Sequence, residues 1–206
     1  MSTTADLVTE LGHIQLPDLF NPYTDHDPLH DLPDAPARRR QNLQLYLEQL
    51  LLLRPTTLWL AESGSHTGTR RSGLPLIPTT VVTSLNQHFS VSGFTSPTKT
   101  DDQSGMTASY VWTAALVQPQ LPLLWNAVMA HPHRPGQPYR NRSVRQTELC
   151  AYLPVLLQLI DCFELQAFVA IGRPAERMLR EAALPYRYVR HPAQGGAAAF
   201  RAGIRE

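Results

Sequence analysis

The chain has 206 residues, 43% of them hydrophobic, which favours one domain with a sizeable core. A net charge of +1 excludes a strong overall nucleic-acid field, and no apolar run approaches the roughly 20 residues of a membrane helix. The opening MSTTADLVTELGHIQLPDLF has neither a basic nor an apolar leader region, so the expected compartment is the cytoplasm.

Charge is distributed unevenly. Residues 1–62 carry a net −5 and residues 63–206 a net +6, and 17 of the 18 basic residues are arginine. Arginine forks suit bidentate contacts to phosphate. Residues 1–34, rich in Pro and Asp, read as an N-terminal arm, an extended cover; residues 35–206 read as one α/β domain. Asp34 is a suitable N-cap, with Pro36 in the first turn, for a helix through ARRRQNLQLYLEQLLLL that ends at Arg54-Pro55. TLWLA (57–61) is a buried strand. Residues 62–107 read as irregular, with part of 79–89 compatible with a helix, and a connection that long is often functional. A helix around 108–117 leads to a second strand, LPLLWNA (121–127). HPHRPGQPYRNR (131–142) reads as a basic loop, and 145–162 as a helix. AFVAIG (167–172) is a third strand, RPAERMLREAA (173–183) a helix, and YRYVR (186–190) a fourth strand. Cys150 and Cys162 fall on one helix about 18 Å apart, at roughly 1.5 Å per residue, too far for a disulfide.

Continuous apolar strands alternating with helices predict a three-layer α/β/α domain around a central, mainly parallel, four-stranded sheet. Ligands of such sheets bind beyond the carboxyl ends of the strands. Those ends carry Glu62-Ser63-Gly64-Ser65, then Asn126 with His131 and His133, then Arg173, then His191-Pro192 with Gly195-Gly196. The expected site is therefore one edge of the sheet. His131 and His133 alone make no zinc site, since further ligands are needed. Neither a Walker pattern nor a GxGxxG fingerprint is present.

In this order the motifs resemble those of the uracil-DNA glycosylase superfamily, over roughly residues 20–205. Ala61-Glu62-Ser63-Gly64-Ser65 stands where the family has its first motif, often GEAPG. Gly73-Leu74-Pro75-Leu76 stands at a segment such as GxPF, Asn126 at the end of the second strand, and His191-Pro192-Ala193-Gln194-Gly195-Gly196 at the His-Pro loop. WNAVMAHPHRPG and VRHPAQGGAAAFRAG look closest to a bacterial subgroup without an iron–sulfur cluster; two cysteines could not hold a cubane cluster by thiolates alone.

The resemblance implies a monomeric, cofactor-free and metal-free hydrolase of base-excision repair. It would cleave the N-glycosidic bond of uracil or another deaminated base in DNA. Asn126 would read the pairing edge of the flipped base, and His191 would stabilise the departing base anion. Glu62 and Ser63 would place water or stabilise the sugar cation. Backbone amides of Gly64 and Ser65 would meet a phosphate or the base. Arg134, Arg140, Arg142 and the loop at Gly195 would hold the DNA backbone. Three positions depart from the family pattern. Ser63 is too weak a base to activate water alone, Gly64 replaces a proline, and Leu76 replaces the aromatic that stacks on the base, a contact worth ~1–3 kcal/mol. Phe89 or Phe94 could supply the missing ring. The same residues also admit plainer readings: Glu62 as a loop carboxylate, Asn126 as a turn cap, His191 as a structural histidine, and Arg38-Arg39-Arg40, at an unfavourable dipole position, as a phosphate contact or only a solvated face. A non-catalytic DNA- or nucleotide-binding protein on the same fold is the alternative.

Overall fold

The computed structural model describes residues 3–100 and 106–205. Helix α1 (Thr4–His13) opens the chain and is held by a capping box: Thr3 Oγ1 accepts from the Asp6 amide, and Asp6 accepts from the Thr3 amide. This corrects the extended reading of the arm, because Leu7, Val8 and Leu11 form a helical stripe buried in the core. Strand β1 (Leu19–Phe20) follows, then α2 (Ala35–Leu53), which ends at Arg54 in a left-handed conformation before Pro55. Strand β2 (Thr57–Ser63) leads into a short helix α3 (Thr69–Ser72), a 3-10 turn (Thr79–Val81) and α4 (Leu85–Phe89). The connection expected to be irregular is thus punctuated by short helices; its residues 101–105 lie outside the described residues. Helix α5 (Met106–Ala115) precedes β3 (Leu123–Val128).

Residues 131–142, expected as a loop, form a hairpin: β4 (His131–Arg134) and β5 (Gln137–Asn141) turn at Pro135-Gly136, with Gly136 at φ 66°. Three prolines hid the alternation that would have signalled strands. Helix α6 (Gln146–Phe163), β6 (Ala167–Ile171), α7 (Arg173–Glu181), β7 (Arg187–Val189) and α8 (Ala197–Arg205) complete the chain.

The main sheet runs β3-β2-β6-β7, with every neighbouring pair parallel. Strand alternation sends Leu58, Leu60, Trp125 and Ala170 to a core shared with α1, α2, α6 and α7. It sends Trp59, Leu124, Val169 and Ile171 to a second core under α5 and α8. Three layers result, as the apolar runs predicted. A second, antiparallel sheet, β1-β4-β5, ties the arm to the hairpin. From β2 the chain first moves out to β3 and then crosses to β6 on the other side. The order therefore reverses beside β2, and a crevice opens at its carboxyl end.

Candidate active site

A cleft of about 460 Å³ lies at that end. Glu62, Ser63, Gly64, Ser65, Leu76, Asn126 and His191 all line it, so the residues taken from strand ends in the sequence converge.

Asn126 sits in β3 opposite Ala61 and is 1% exposed, within the strand and not in a turn. The Thr69 hydroxyl donates to the Leu74 carbonyl at 3.0 Å. It can therefore only accept from Asn126, whose Nδ2 approaches at 3.5 Å. That polarity orients the amide. Its Oδ1 is buried without a hydrogen-bond partner among the described residues. Leaving an acceptor so placed costs about 1–3 kcal/mol, which a ligand donor would recover.

His191 follows β7. Its Nδ1 accepts from the Ala193 amide at 3.2 Å, so the neutral ring carries its proton on Nε2. Burial lowers the imidazole below its ordinary pKa, which keeps it neutral near pH 7. Gly172, at φ 88°, lets the chain pass it closely: a Cβ there would lie 3.2 Å from the His191 Cβ. Glu62, near the end of β2, is half-buried; burial raises its carboxyl pKa, and Arg177 on α7 pulls the other way. Leu76 has φ 58°, and its carbonyl accepts from the Trp112 indole at 2.9 Å.

Several expected contacts take other forms. The Gly64 amide is not available to a ligand, because it donates to the carbonyls of Val128 (3.0 Å) and Ala130 (3.1 Å). Its glycine is needed for close packing: a Cβ would meet Ala130 O at 2.9 Å. Arg142 borders the cleft but is no free phosphate ligand. Its guanidinium bonds Glu148, with Nη1 to Oε2 at 3.0 Å, and the carbonyls of His133 and Asp18 at 2.9 and 3.0 Å. Arg134 and Arg140, on the hairpin, are exposed, as is Gly195 at φ 76°. Ser65 Oγ accepts from the Gly68 amide at 3.1 Å. Phe94 is buried and packs on Phe89 with ring centres 6.0 Å apart; neither ring lines the cleft. Arg39 is neither a solvated face nor a phosphate contact: it is fully buried and paired with Asp31, while Arg40 donates to the Tyr23 carbonyl. His131 is buried, its ring nitrogens facing Asn141 and Arg70.

Sequence reasoning passed over Thr69 and Asn141, both in the cleft wall. The string RNR drew attention to its arginines, although the asparagine between them has an amide nitrogen with no acceptor among the described residues. A second groove, of about 580 Å³, adjoins through Glu62, His191 and Ala193, and is bordered by Arg173 and Arg190. Arg173 lies over the Tyr188 ring at 4.9 Å.

No family model and no curated protein sequence matches the chain. Among solved structures it is similar to the crystal structure of wild-type SMUG2 from Pedobacter heparinus. That similarity has a TM-score of 0.62 at 10% identity and covers 100% of this chain and 95% of the other. The fold is uracil-DNA glycosylase-like. Among the described residues, no helix is long and apolar enough to cross a membrane.

Proposed function

We propose that the chain is a DNA glycosylase that hydrolyses the N-glycosidic bond of uracil or a related deaminated base. The observation that carries this reading is the buried Asn126 amide, held by Thr69 with Oδ1 unpartnered. An amide so held offers an acceptor to an imide N–H, and its Nδ2 can turn a second hydrogen to a neighbouring carbonyl. That is the pairing edge of uracil or hypoxanthine, once the nucleotide is flipped out of the stack.

Bond cleavage is heterolytic. The electron pair of the C1′–N bond leaves with the base, and the sugar becomes oxocarbenium-like. The His191 Nε2–H donates to the base oxygen that gains charge, and a neutral donor fixed in place needs no reorganisation. Water adds to C1′ and loses its proton to the Glu62 carboxylate; the base anion is later protonated from solvent. Ser63 can hydrogen-bond the water but not deprotonate it. The groove lined by Arg173 and Arg190 continues from the cleft and suits a phosphodiester strand, and the exposed Arg134, Arg140 and Gly195 are further candidates for backbone contacts.

The test is cleavage of single- and double-stranded oligonucleotides containing one uracil, hypoxanthine or xanthine, with alkali revealing abasic sites. Product is expected from the wild-type chain. Asn126→Ala and His191→Ala should each reduce it by about 10²–10³-fold while still folding cooperatively. Retained activity in both would sink the mechanism. Leu76 favours a second reading, non-catalytic binding of DNA or nucleotide, because among the described residues no Phe, Tyr or Trp ring lines the cleft. Binding without product from folded protein in stoichiometric excess would select it.

A further inference from the structure

A chain of buried polar contacts runs from the arm through the hairpin and ends in the cleft. Asp27 accepts from Arg70 Nη2 at 3.1 Å and from the Tyr139 hydroxyl at 3.0 Å. The Arg70 guanidinium lies over the Phe20 ring at 3.7 Å and turns Nη1 to His131 Nδ1 at 3.3 Å. Arginine only donates, so His131 Nδ1 is the acceptor and the ring proton is on Nε2. Burial and the neighbouring Arg70 charge depress the His131 pKa to about 3, so the ring is neutral. Its Nε2–H then donates to Asn141 Oδ1 at 2.8 Å, and the His66 amide donates to the same oxygen at 3.2 Å.

Two donors therefore fix which end of the Asn141 amide is oxygen. Among the described residues nothing accepts from the Nδ2 end, which keeps both its hydrogens for something else. Asn141 closes the exposed rim of the cleft, whereas Asn126 lies at its buried floor. A base bound on the floor leaves its sugar and phosphate at the rim.

We propose that Asn141 Nδ2 donates to a phosphate oxygen of the bound DNA strand, and that Arg70 and His131 are positioning residues that set the polarity of this amide. The inference rests on the DNA reading above. It differs from a structural role in one respect. The fold needs only an acceptor at Asn141, and an aspartate supplies that equally well. The ligand needs a donor, and an aspartate supplies a repelling charge.

The experiment is fluorescence anisotropy with a single-stranded oligonucleotide bearing one tetrahydrofuran abasic analogue. Phosphates on either side of it are left natural or replaced singly by methylphosphonate. Asn141→Asp is expected to melt like wild type yet bind the natural strand about tenfold or more weakly, the worth of one charge-assisted hydrogen bond. One methylphosphonate position should abolish that difference. His131→Leu should weaken binding in the same way. His131→Gln, which can accept from Arg70 and donate to Asn141, should restore it. Equal binding by Asn141→Asp and wild type would overturn the proposal, as would a loss that persists with both methylphosphonates. The two readings fail separately. Wild type that binds this strand but releases no base removes the glycosylase while leaving the Asn141 result to stand. Wild type that binds no strand removes both.

Discussion

In the proposed mechanism Glu62 would be a base tuned by its position. It stands near the end of a buried strand, where losing water disfavours the carboxylate; burial raises its pKa, and Arg177 partly offsets this. A general base works only when deprotonated. The acid limb of kcat/KM should therefore fall above the ordinary carboxylate value of 4.5, activity rising as pH rises through it. Glu62→Gln should remove the limb along with most of the activity, and Arg177→Gln should move it to higher pH. A limb unchanged in Glu62→Gln would assign it to another group. Leu76 calls for the opposite manipulation. It occupies the cleft wall without offering a π-face, so Leu76→Phe should tighten binding of the uracil-containing strand by about fivefold or more, the low end of what one stacked base contributes. The positive φ is already imposed on Leu76, and phenylalanine adds no new backbone strain. Unchanged affinity on a strand carrying one uracil would show that the base does not lie on this residue.

The hairpin is the element in which arginines of one sequence motif divide into two kinds. Arg142 and Glu148 are both largely buried and satisfy each other through two oxygens, so removing one partner strands the other. Arg142→Ala should cost about 3–5 kcal/mol in urea unfolding. Arg140→Ala, on the exposed strand, should leave unfolding within about 0.5 kcal/mol of wild type and instead weaken DNA binding and its salt dependence. Reversed outcomes would mean that the two residues had exchanged roles. Residue type alone could not separate them, since a guanidinium serves a phosphate and a buried carboxylate with the same geometry. The same limit applies at Arg39 and Arg70, which hold Asp31 and Asp27 of the arm. The sheet was easier to read. LWLA (58–61) and AFVAIG are apolar throughout because both faces of a parallel strand are covered, and the polar residues of the cleft collect where those runs stop. That rule found Glu62, Asn126 and His191. It missed Thr69 and Asn141, which reach the cleft from α3 and the hairpin, elements whose placement depends on contacts distant in sequence.

Across the whole molecule, pH acts through the same buried contacts that join arm, hairpin and cleft. His131 is neutral in the fold and ordinary when unfolded, its pKa falling from 6.5 to about 3. For Asp27, burial raises the pKa, but hydrogen bonds from Arg70 and Tyr139 outweigh this and hold it below 3.8. Both folded values are depressed, and the sign is common to both. The unfolded chain binds protons that the folded chain refuses, so stability is full above each unfolded value and is lost as pH falls toward the folded one. His131 acts first, from pH 6.5 down to about 3, and Asp27 joins only below 3.8. Each unshared proton contributes a slope of up to about 1.4 kcal/mol per pH unit. Urea unfolding followed between pH 7 and 4 should therefore show stability falling in wild type, with a shallower fall in His131→Gln, which has no proton to take up there. His66 and His191, whose pKa values burial also lowers, keep a residual slope in that variant. If the slope in His131→Gln equals that of wild type, the ring is charged in the fold. The hydrogen it turns toward Asn141 would then no longer be fixed by Arg70.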